Sequence, residues 1–227
     1  MLPARAVVLF DIDGTILHRA GPHHRQAIVD AIREVTRFQT EFGDLPTSGK
    51  LDRDLIRTLL RSAGAKMRDI QRWMPAIVER AQAGYQLICP KLEDRLCPGV
   101  VDLLHRLEAA SIPAGLVTGN LTAIGWKKME AAGVRRHFAL GAFSEMASTR
   151  AGLAKKAMSQ ARRQRLAGRN TRFSLIGDHP NDVQAAKLNG IRSIAVATGV
   201  STPEELAACQ PDLLVPDLRA LEVEAFL

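Results

Sequence analysis

The sequence predicts an α/β protein with a doubly wound, mainly parallel sheet and an inserted all-α segment. Strand-like and helix-like patterns alternate from residue 98 onward, which is typical of a parallel sheet covered by helices. Residues 6–10 form a short apolar run, as expected for a central strand buried on both faces. Residues from about 18 to 95 instead contain three helical patterns and no convincing strand pattern.

These patterns predict a discontinuous α/β core and a separate helical cap domain. The core comprises residues 1–17 and 96–227, and the cap comprises residues 18–95. The predicted core strands lie near residues 6–10, 112–117, 138–143, 172–176, 191–197 and 212–215. The predicted helices lie near residues 24–37, 52–62 and 67–87 in the cap, and from 100, 122, 151 and 181 onward in the core.

Composition argues against several classes of protein. The 227 residues contain no apolar run of the roughly 20 residues that a membrane span needs. A net charge of +7 suggests nucleic-acid binding, but aromatic residues make up 4% and none alternates with the basic stretch at 162–172, which argues against it. Three cysteines without a CxxC spacing predict neither a disulfide framework nor a zinc site. A cytoplasmic protein is the expectation.

Polar motifs follow the predicted strands, at ends that should meet along one edge of the sheet. The first strand is followed by Asp11-Ile-Asp13-Gly14-Thr15, the second by Thr118-Gly119-Asn120, and the strand at 172–176 by Gly177-Asp178-His179-Pro180-Asn181-Asp182. Arg150 stands where the helix of a third crossover should begin. The order of these motifs is compatible with one site.

The acidic residues predict phosphoryl chemistry that depends on a divalent cation. Asp11 and Asp13 lie two residues apart, so in extended backbone their carboxylates share one face and repel both each other and a phosphate dianion. A bound Mg²⁺ removes this repulsion, with Asp178 as a further oxygen ligand and Asp182 available to hold metal-bound water. One of the first two carboxylates can then attack phosphorus while the other handles the leaving-group proton.

The neighbouring residues suit the same chemistry. Gly14 lets the backbone approach a phosphoryl group closely, and Thr118 and Asn120 can donate hydrogen bonds to its oxygens. A nearby guanidinium or ammonium would offset the remaining negative charge.

These motifs resemble those of the haloacid dehalogenase superfamily, and the resemblance covers essentially the whole chain. It implies that Asp11 is the nucleophile, that Asp13 is the general acid and then the base, and that Mg²⁺ is held by Asp11, the Asp13 carbonyl and Asp178. Residues 18–95 are placed like the helical cap of the phosphoglycolate phosphatase-like branch, and residues 48–52 resemble its substrate-facing cap loop. The candidate phosphate- or substrate-binding residues are then Gly14, Thr15, Thr118, Gly119, Asn120 and Lys50, with Arg53 a further cap residue expected near the substrate.

The basic group of the site departs from the pattern of that superfamily. Its third motif usually reads as a lysine followed by proline, and no Lys-Pro occurs between residues 120 and 177. Arg150 matches a branch pattern in which arginine precedes the helix, and Lys155 is the alternative. Arginine and lysine differ in shape and donor geometry, so the exchange matters.

The predicted function is Mg²⁺-dependent hydrolysis of a small phosphorylated metabolite through an aspartyl-phosphate intermediate. By the resemblance, the acid at Asp13 argues for phosphoester chemistry and against dehalogenation or phosphonate cleavage. A phosphosugar mutase of the same superfamily and a non-catalytic homologue that binds a phosphate ligand stay as alternatives. The sequence does not predict which substrate is used or which oligomeric state the chain adopts.

Overall fold

The computed structural model describes residues 3–18 and 21–227, which form one six-stranded sheet with every strand parallel to its neighbours. The strands are β1 (Ala4–Phe10), β2 (Ala114–Val117), β3 (Phe138–Ala142), β4 (Ala167–Gly177), β5 (Arg192–Val196) and β6 (Leu213–Val215). Their spatial order is β3-β2-β1-β4-β5-β6, so the chain builds one side of the sheet and then crosses to the other. The predicted doubly wound α/β fold is confirmed.

The first strand is central because its side chains are apolar on both faces. Val7, Val8 and Leu9 of β1 are fully buried, and the strand pairs with β2 on one side and β4 on the other. In this register Leu9 lies opposite Gly115 of β2 and Leu175 of β4. The carboxyl ends of the three strands therefore lie side by side where the strand order reverses, the usual ligand position in such sheets.

In the described part of the chain, eight α-helices cover and connect the strands. They are α1 (His23–Thr36), α2 (Asp52–Ser62), α3 (Met67–Ile88), α4 (Val100–Ala109), α5 (Thr122–Ala131), α6 (Arg150–Arg163), α7 (Pro180–Leu188) and α8 (Pro203–Ala208). Every helix and strand predicted from the sequence is present, and most of their ends are shifted by only a few residues. The largest shift is in β4, which begins five residues before the predicted residue 172. Helix α8 is present in the structure but was not predicted.

Helices α1–α3 form a helical insert, residues 23–88, between β1 and β2. They share an apolar cluster of their own that contains Ile32 and Tyr85 and is completed by Ile124 of α5 in the core. The segments that enter and leave the insert lie together, because Leu17 bridges Leu96. The insert is thus attached to the core by two adjacent strands of chain and by packing on α5.

The predicted domains include residues 1–2 and 19–20, which lie outside the described residues. Over residues 3–18 and 21–227, none of the helices combines the length and apolar character that crossing a membrane requires. The cytoplasmic location stays a prediction.

Candidate active site

The carboxyl ends of β1, β2 and β4 border a cavity of about 790 Å³. Asp11 and Asp13 follow β1, Thr118 and Asn120 follow β2, and Asp178 follows β4, and all five line this cavity. The alignment of the three strand ends is what brings these side chains together, although they are up to 167 residues apart in the chain. The motifs found in the sequence therefore do converge on one place.

Arg150 supplies the cation nearest to Asp11. It is the first residue of α6, whose N-terminus is capped by the Thr149 side chain, which accepts a hydrogen bond from a backbone N–H of the first turn at 3.0 Å. The buried guanidinium donates from Nη1 to Asp11 Oδ1 at 2.8 Å and to the Val117 carbonyl oxygen at 3.1 Å. Lys155, the alternative, is exposed one turn further along the helix. The structure thus brings Arg150 to Asp11.

Three buried carboxylates meet beside this guanidinium. Asp11, Asp178 and Asp182 each contribute an oxygen, and these oxygens all lie within 4.8 Å of one another. Asp182 Oδ1 is 3.3 Å from Arg150 Nε, but it has no hydrogen-bond partner among the described residues. One guanidinium cannot neutralise three carboxylates, and an orphaned buried oxygen is available for ligation. The donor set therefore fits a hard divalent cation.

The crowding of these acids appears in their pKa values. Burial and then the charge of Asp11 raise the pKa of Asp178 to about 7. Burial also raises the pKa of Asp182 well above its ordinary value. The charge of Arg150 lowers this pKa and offsets part of the shift, whereas the charges of Asp11 and Asp178 raise it further. A metal ion would favour the ionised form of each carboxylate. The raised pKa values thus mark a site that is short of positive charge.

Gly14 allows the loop after β1 to pass against Asp178. Its φ angle is +87°, and a Cβ atom at this position would lie 2.2 Å from Asp178 Oδ2, so that any other residue would be strained there. The Thr198 hydroxyl donates to the Gly14 carbonyl oxygen at 2.6 Å and fixes the loop from the other side. Thr15 is fully buried, and its hydroxyl donates to Asp178 Oδ1 at 3.2 Å and so orients that carboxylate. A phosphate contact of Thr15 stays a prediction.

The Asp13 carboxyl group faces the cavity with partners different from those of Asp11. Lys128 Nζ donates to both of its oxygens at 2.7 Å, and Asn120 Nδ2 donates to Oδ2 at 2.7 Å. Burial alone would raise the pKa of Asp13, but the charge of Lys128, the neighbouring His24 and the hydrogen bonds from Lys128 and Asn120 together outweigh this effect, and the pKa is lowered. The Asp13 carboxyl thus lies outside the acidic trio, and its predicted contribution to a metal site rests on its backbone carbonyl.

The loop after β2 contacts both the insert and the cavity. One side-chain N–H of Asn120 donates to Asp13 Oδ2, and the other donates to Thr118 Oγ1 at 2.8 Å. The predicted donation from Asn120 to phosphate would therefore require one of these two hydrogen bonds to break. Gly119 touches the insert, because its carbonyl accepts from the Asp52 N–H at 2.8 Å and a Cβ there would lie 2.2 Å from the Lys50 carbonyl oxygen. The Thr118 side chain lines the cavity. The loop therefore links the cavity to the insert.

Lys128 is a site residue that the sequence analysis missed. It lies on the buried face of α5 with Ile124 and Met129, and only 1% of its surface is exposed. Besides contacting Asp13, its Nζ lies 3.2 Å from His24 Nδ1. A lysine one helical turn after a buried isoleucine would need a buried partner, because an isolated charge is costly to bury. That spacing was the available signal.

The helical insert contributes a wall of the cavity that is partly basic and partly apolar. Lys50 lines the cavity, and so does Arg25, whose guanidinium lies 5.6 Å from the centre of the Phe42 ring. Contact of Lys50 with a substrate stays a prediction. Arg53, expected beside Lys50, lies in the first turn of α2, where its backbone N–H donates to Ser144 Oγ at 3.1 Å. Positive charge thus reaches the cavity from the insert as well as from the core.

Known proteins resemble the chain over most of its length. A family model described as haloacid dehalogenase-like hydrolase matches residues 6–190. A phosphoglycolate phosphatase of Synechococcus elongatus is 26% identical over 213 residues, which cover 92% of this chain and 91% of that protein. A phosphoglycolate phosphatase of Escherichia coli K12 is 29% identical over 126 residues, so that the match spans 56% of this chain and 49% of that protein. A crystal structure of β-phosphoglucomutase from Clostridium difficile has a TM-score of 0.68 at 16% identity, covering 99% of this chain and 95% of that one, and this likeness shows the fold.

Proposed function

The chain belongs to the haloacid dehalogenase-like hydrolases, and from that membership and the site we propose that it hydrolyses a small phosphomonoester with the help of Mg²⁺. Its similarity to phosphoglycolate phosphatases supports the proposal that the chain has phosphatase activity. The observation that carries the proposal is the group of three buried carboxylates around one guanidinium, with Asp11 open to the cavity. Such a centre has no evident use in packing, since buried like charges destabilise a fold.

Asp11 is the proposed nucleophile. It lines the cavity, and the Arg150 guanidinium at 2.8 Å stabilises the negative charge that a carboxylate needs in order to attack. Arg150 stays charged, because Asp11 and Asp182 raise its pKa despite burial. Asp13, two residues further along, also faces the cavity and is the proposed acid and base.

The reaction then proceeds in two halves. An Asp11 oxygen attacks phosphorus, the bond from phosphorus to the leaving oxygen breaks, and that oxygen takes a proton from Asp13. Water then attacks the aspartyl phosphate and gives a proton to Asp13, and the bond from phosphorus to Asp11 breaks, which releases inorganic phosphate and restores Asp11. Asp11, Asp178 and the Asp13 carbonyl would hold Mg²⁺, and Asp182 would hold a water beside it. The ion would supply positive charge that offsets the repulsion between the phosphoryl oxygens and Asp11.

The helical insert is proposed as a cap domain over this site. The proposed boundaries are residues 18–95 for the cap and residues 1–17 and 96–227 for the core, which agrees with the pairing of Leu17 with Leu96 where the insert begins and ends. Residues of both parts line the same cavity. A cap in this position would exclude bulk water and contact the part of the substrate beyond the phosphoryl group.

The test is phosphate release from p-nitrophenyl phosphate and a panel of small phosphomonoesters, in Mg²⁺ and in EDTA. The wild type is compared with Asp11→Asn and with Asp102→Asn, a control that removes an exposed acid of α4. We expect release that requires Mg²⁺, is lost in Asp11→Asn and is retained in Asp102→Asn. The substrate ranking from the panel would indicate the substrate class.

Other outcomes would point to the alternatives. An isomeric sugar phosphate in place of free phosphate would identify a mutase, in which the phosphoryl group on Asp11 is passed to a second hydroxyl and not to water. Binding of phosphate ligands by folded, Mg²⁺-loaded protein without turnover of any panel member would contradict the proposed hydrolysis and support a non-catalytic role.

A further inference from the structure

A continuous chain of polar contacts connects Asp13 to the helical insert. Lys128 Nζ contacts both Asp13 oxygens at 2.7 Å and His24 Nδ1 at 3.2 Å. His24 Nε2 lies 2.9 Å from Asp52 Oδ2, and the same oxygen accepts from the Leu121 N–H at 2.7 Å. This series of contacts starts in the core at Asp13, includes His24 of α1 and Asp52 of α2 in the insert, and returns to the core at the loop after β2.

The chemistry of the groups fixes the direction of every hydrogen bond in this chain. An ammonium group has three donors and no acceptor, so Lys128 donates to His24 Nδ1, which must carry no proton. The proton of the neutral imidazole is then on Nε2 and donates to Asp52. The three donors of Lys128 are thus matched by two Asp13 oxygens and one His24 nitrogen. Removal of either partner leaves a donor of a buried ammonium unpaired.

The placement of Lys128 is more than packing requires. Its side chain is 1% exposed and an apolar side chain of the same length would fill the same space without the cost of a buried charge. Neighbouring Lys127 on the same helix shows the ordinary surface alternative, since its Nζ lies 3.8 Å from Glu130 and its side chain is 30% exposed. The buried ammonium therefore has a use that concerns its two partners, Asp13 and His24.

We propose that Lys128 is a positioning residue for the Asp13 carboxyl group and that His24 and Asp52 hold Lys128 in place. This inference rests on the proposed phosphatase function. It assigns a role in the acid–base part of the site to a buried lysine of α5 that lies outside the strand-end motifs.

The way in which kcat/KM depends on the basicity of the leaving group distinguishes a positioning role of Lys128 from a purely structural one. When the phosphoryl group is transferred to Asp11, the bond from phosphorus to the leaving oxygen breaks. A strongly basic leaving oxygen needs the proton of Asp13, whereas the weakly basic p-nitrophenolate departs without it. The quantity kcat/KM covers the steps up to this transfer and excludes the later attack of water. A misdirected Asp13 carboxyl group therefore lowers kcat/KM more for esters with a strongly basic leaving group than for esters with a weakly basic one.

The experiment compares kcat/KM of the Mg²⁺-loaded protein for p-nitrophenyl, phenyl and p-methoxyphenyl phosphate, which differ only in the para substituent of the leaving group. In Lys128→Met we expect a loss of about 10- to 100-fold for the phenyl and methoxyphenyl esters and less than about threefold for the nitrophenyl ester. Lys127→Met is the matched control and should retain all three values. In an Asp13→Asn background, Lys128→Met should cause no further selective loss.

Equal losses on all three esters in a Lys128→Met protein that melts like the wild type would overturn the inference. If Lys128→Met does not fold, His24→Leu decides, since it acts from the insert and should produce the same selective loss at smaller size; an unchanged ratio between esters there would also overturn it. A wild type that hydrolyses neither these esters nor any other phosphomonoester of the panel would instead refute the proposed function, and the inference with it.

Discussion

Without a metal ion the protein should lose stability as the pH rises, because Asp178 must ionise inside the acidic site. Burial and the charge of Asp11 raise the pKa of Asp178 from 3.8 to about 7. A group whose pKa is raised by folding contributes its full stability below its unfolded pKa, and this contribution is lost as the pH rises through the folded pKa. The loss should therefore fall between about pH 4 and pH 7.

The size of the effect follows from the shift. A difference of about 3 pKa units at 1.36 kcal/mol per unit corresponds to about 4 kcal/mol over the whole range. Between about pH 5 and pH 7 the loss should be about 2 kcal/mol, or roughly 4–8 °C in melting temperature for a chain of this length. Mg²⁺ binds the ionised carboxylates, so its stabilising effect should grow over the same range.

The assay is urea unfolding from pH 5 to pH 8, in EDTA and in Mg²⁺, for the wild type and Asp178→Asn. Asparagine does not titrate, so the variant should lack this part of the pH dependence, together with the part of the Asp182 shift that the charge of Asp178 causes. Ionisations outside the acidic trio cancel when the two proteins are compared. The wild type should gain more from Mg²⁺ at pH 8 than at pH 5. A metal-free wild type with the same pH slope as Asp178→Asn would refute the reasoning, because it would show that Asp178 does not ionise against its neighbours.

Three further predictions concern the charges and the loop of the site. Arg150→Lys should lower kcat for p-nitrophenyl phosphate about 10- to 100-fold, because a point charge cannot keep both guanidinium contacts, whereas Lys155→Ala should retain the wild-type value. Lys50→Ala should raise KM for the preferred panel substrate about tenfold and leave kcat unchanged, and a fall in kcat alone would contradict a binding role. Gly14→Ala should destabilise the protein by roughly 1–3 kcal/mol and weaken Mg²⁺ binding in calorimetric titrations, since the new methyl group would displace Asp178.

The sequence predicted the strands and the strand-end motifs because both depend on local patterns. The run at residues 6–10 is apolar without interruption, so it had to be a buried strand, and Asp11 had to lie at its end. Parallel pairing then brings the ends of β1, β2 and β4 together whatever the connections contain. Arg150 was predictable in the same way, since it begins the helix that follows β3.

Contacts between distant elements were not predictable in this way. Lys128 is 115 residues from Asp13, and their contact depends on how α5 packs beside the end of β1. The buried spacing on α5 indicates that Lys128 has a partner but does not indicate which one. Helix α8 was missed for another reason: its capping box of Thr202 and Glu205 is visible in the sequence, but six residues are too few to show helical periodicity.

The charges at the centre of the site give a physical reason why this basic chain would need a metal ion to accept phosphate. When all are ionised, the four carboxylates exceed the two cations by two negative charges, the charge of one divalent ion; these groups are Asp11, Asp13, Asp178 and Asp182 with Arg150 and Lys128. The positive charge that gives the whole chain its net +7 thus lies outside this centre and can attract anions to the protein without admitting them to Asp11. Added salt should therefore slow capture of the substrate through screening, and removal of Mg²⁺ should stop turnover at any ionic strength. An unchanged salt dependence of kcat/KM after Lys50→Ala would mean that the attraction arises from the rest of the surface and not from the cavity wall.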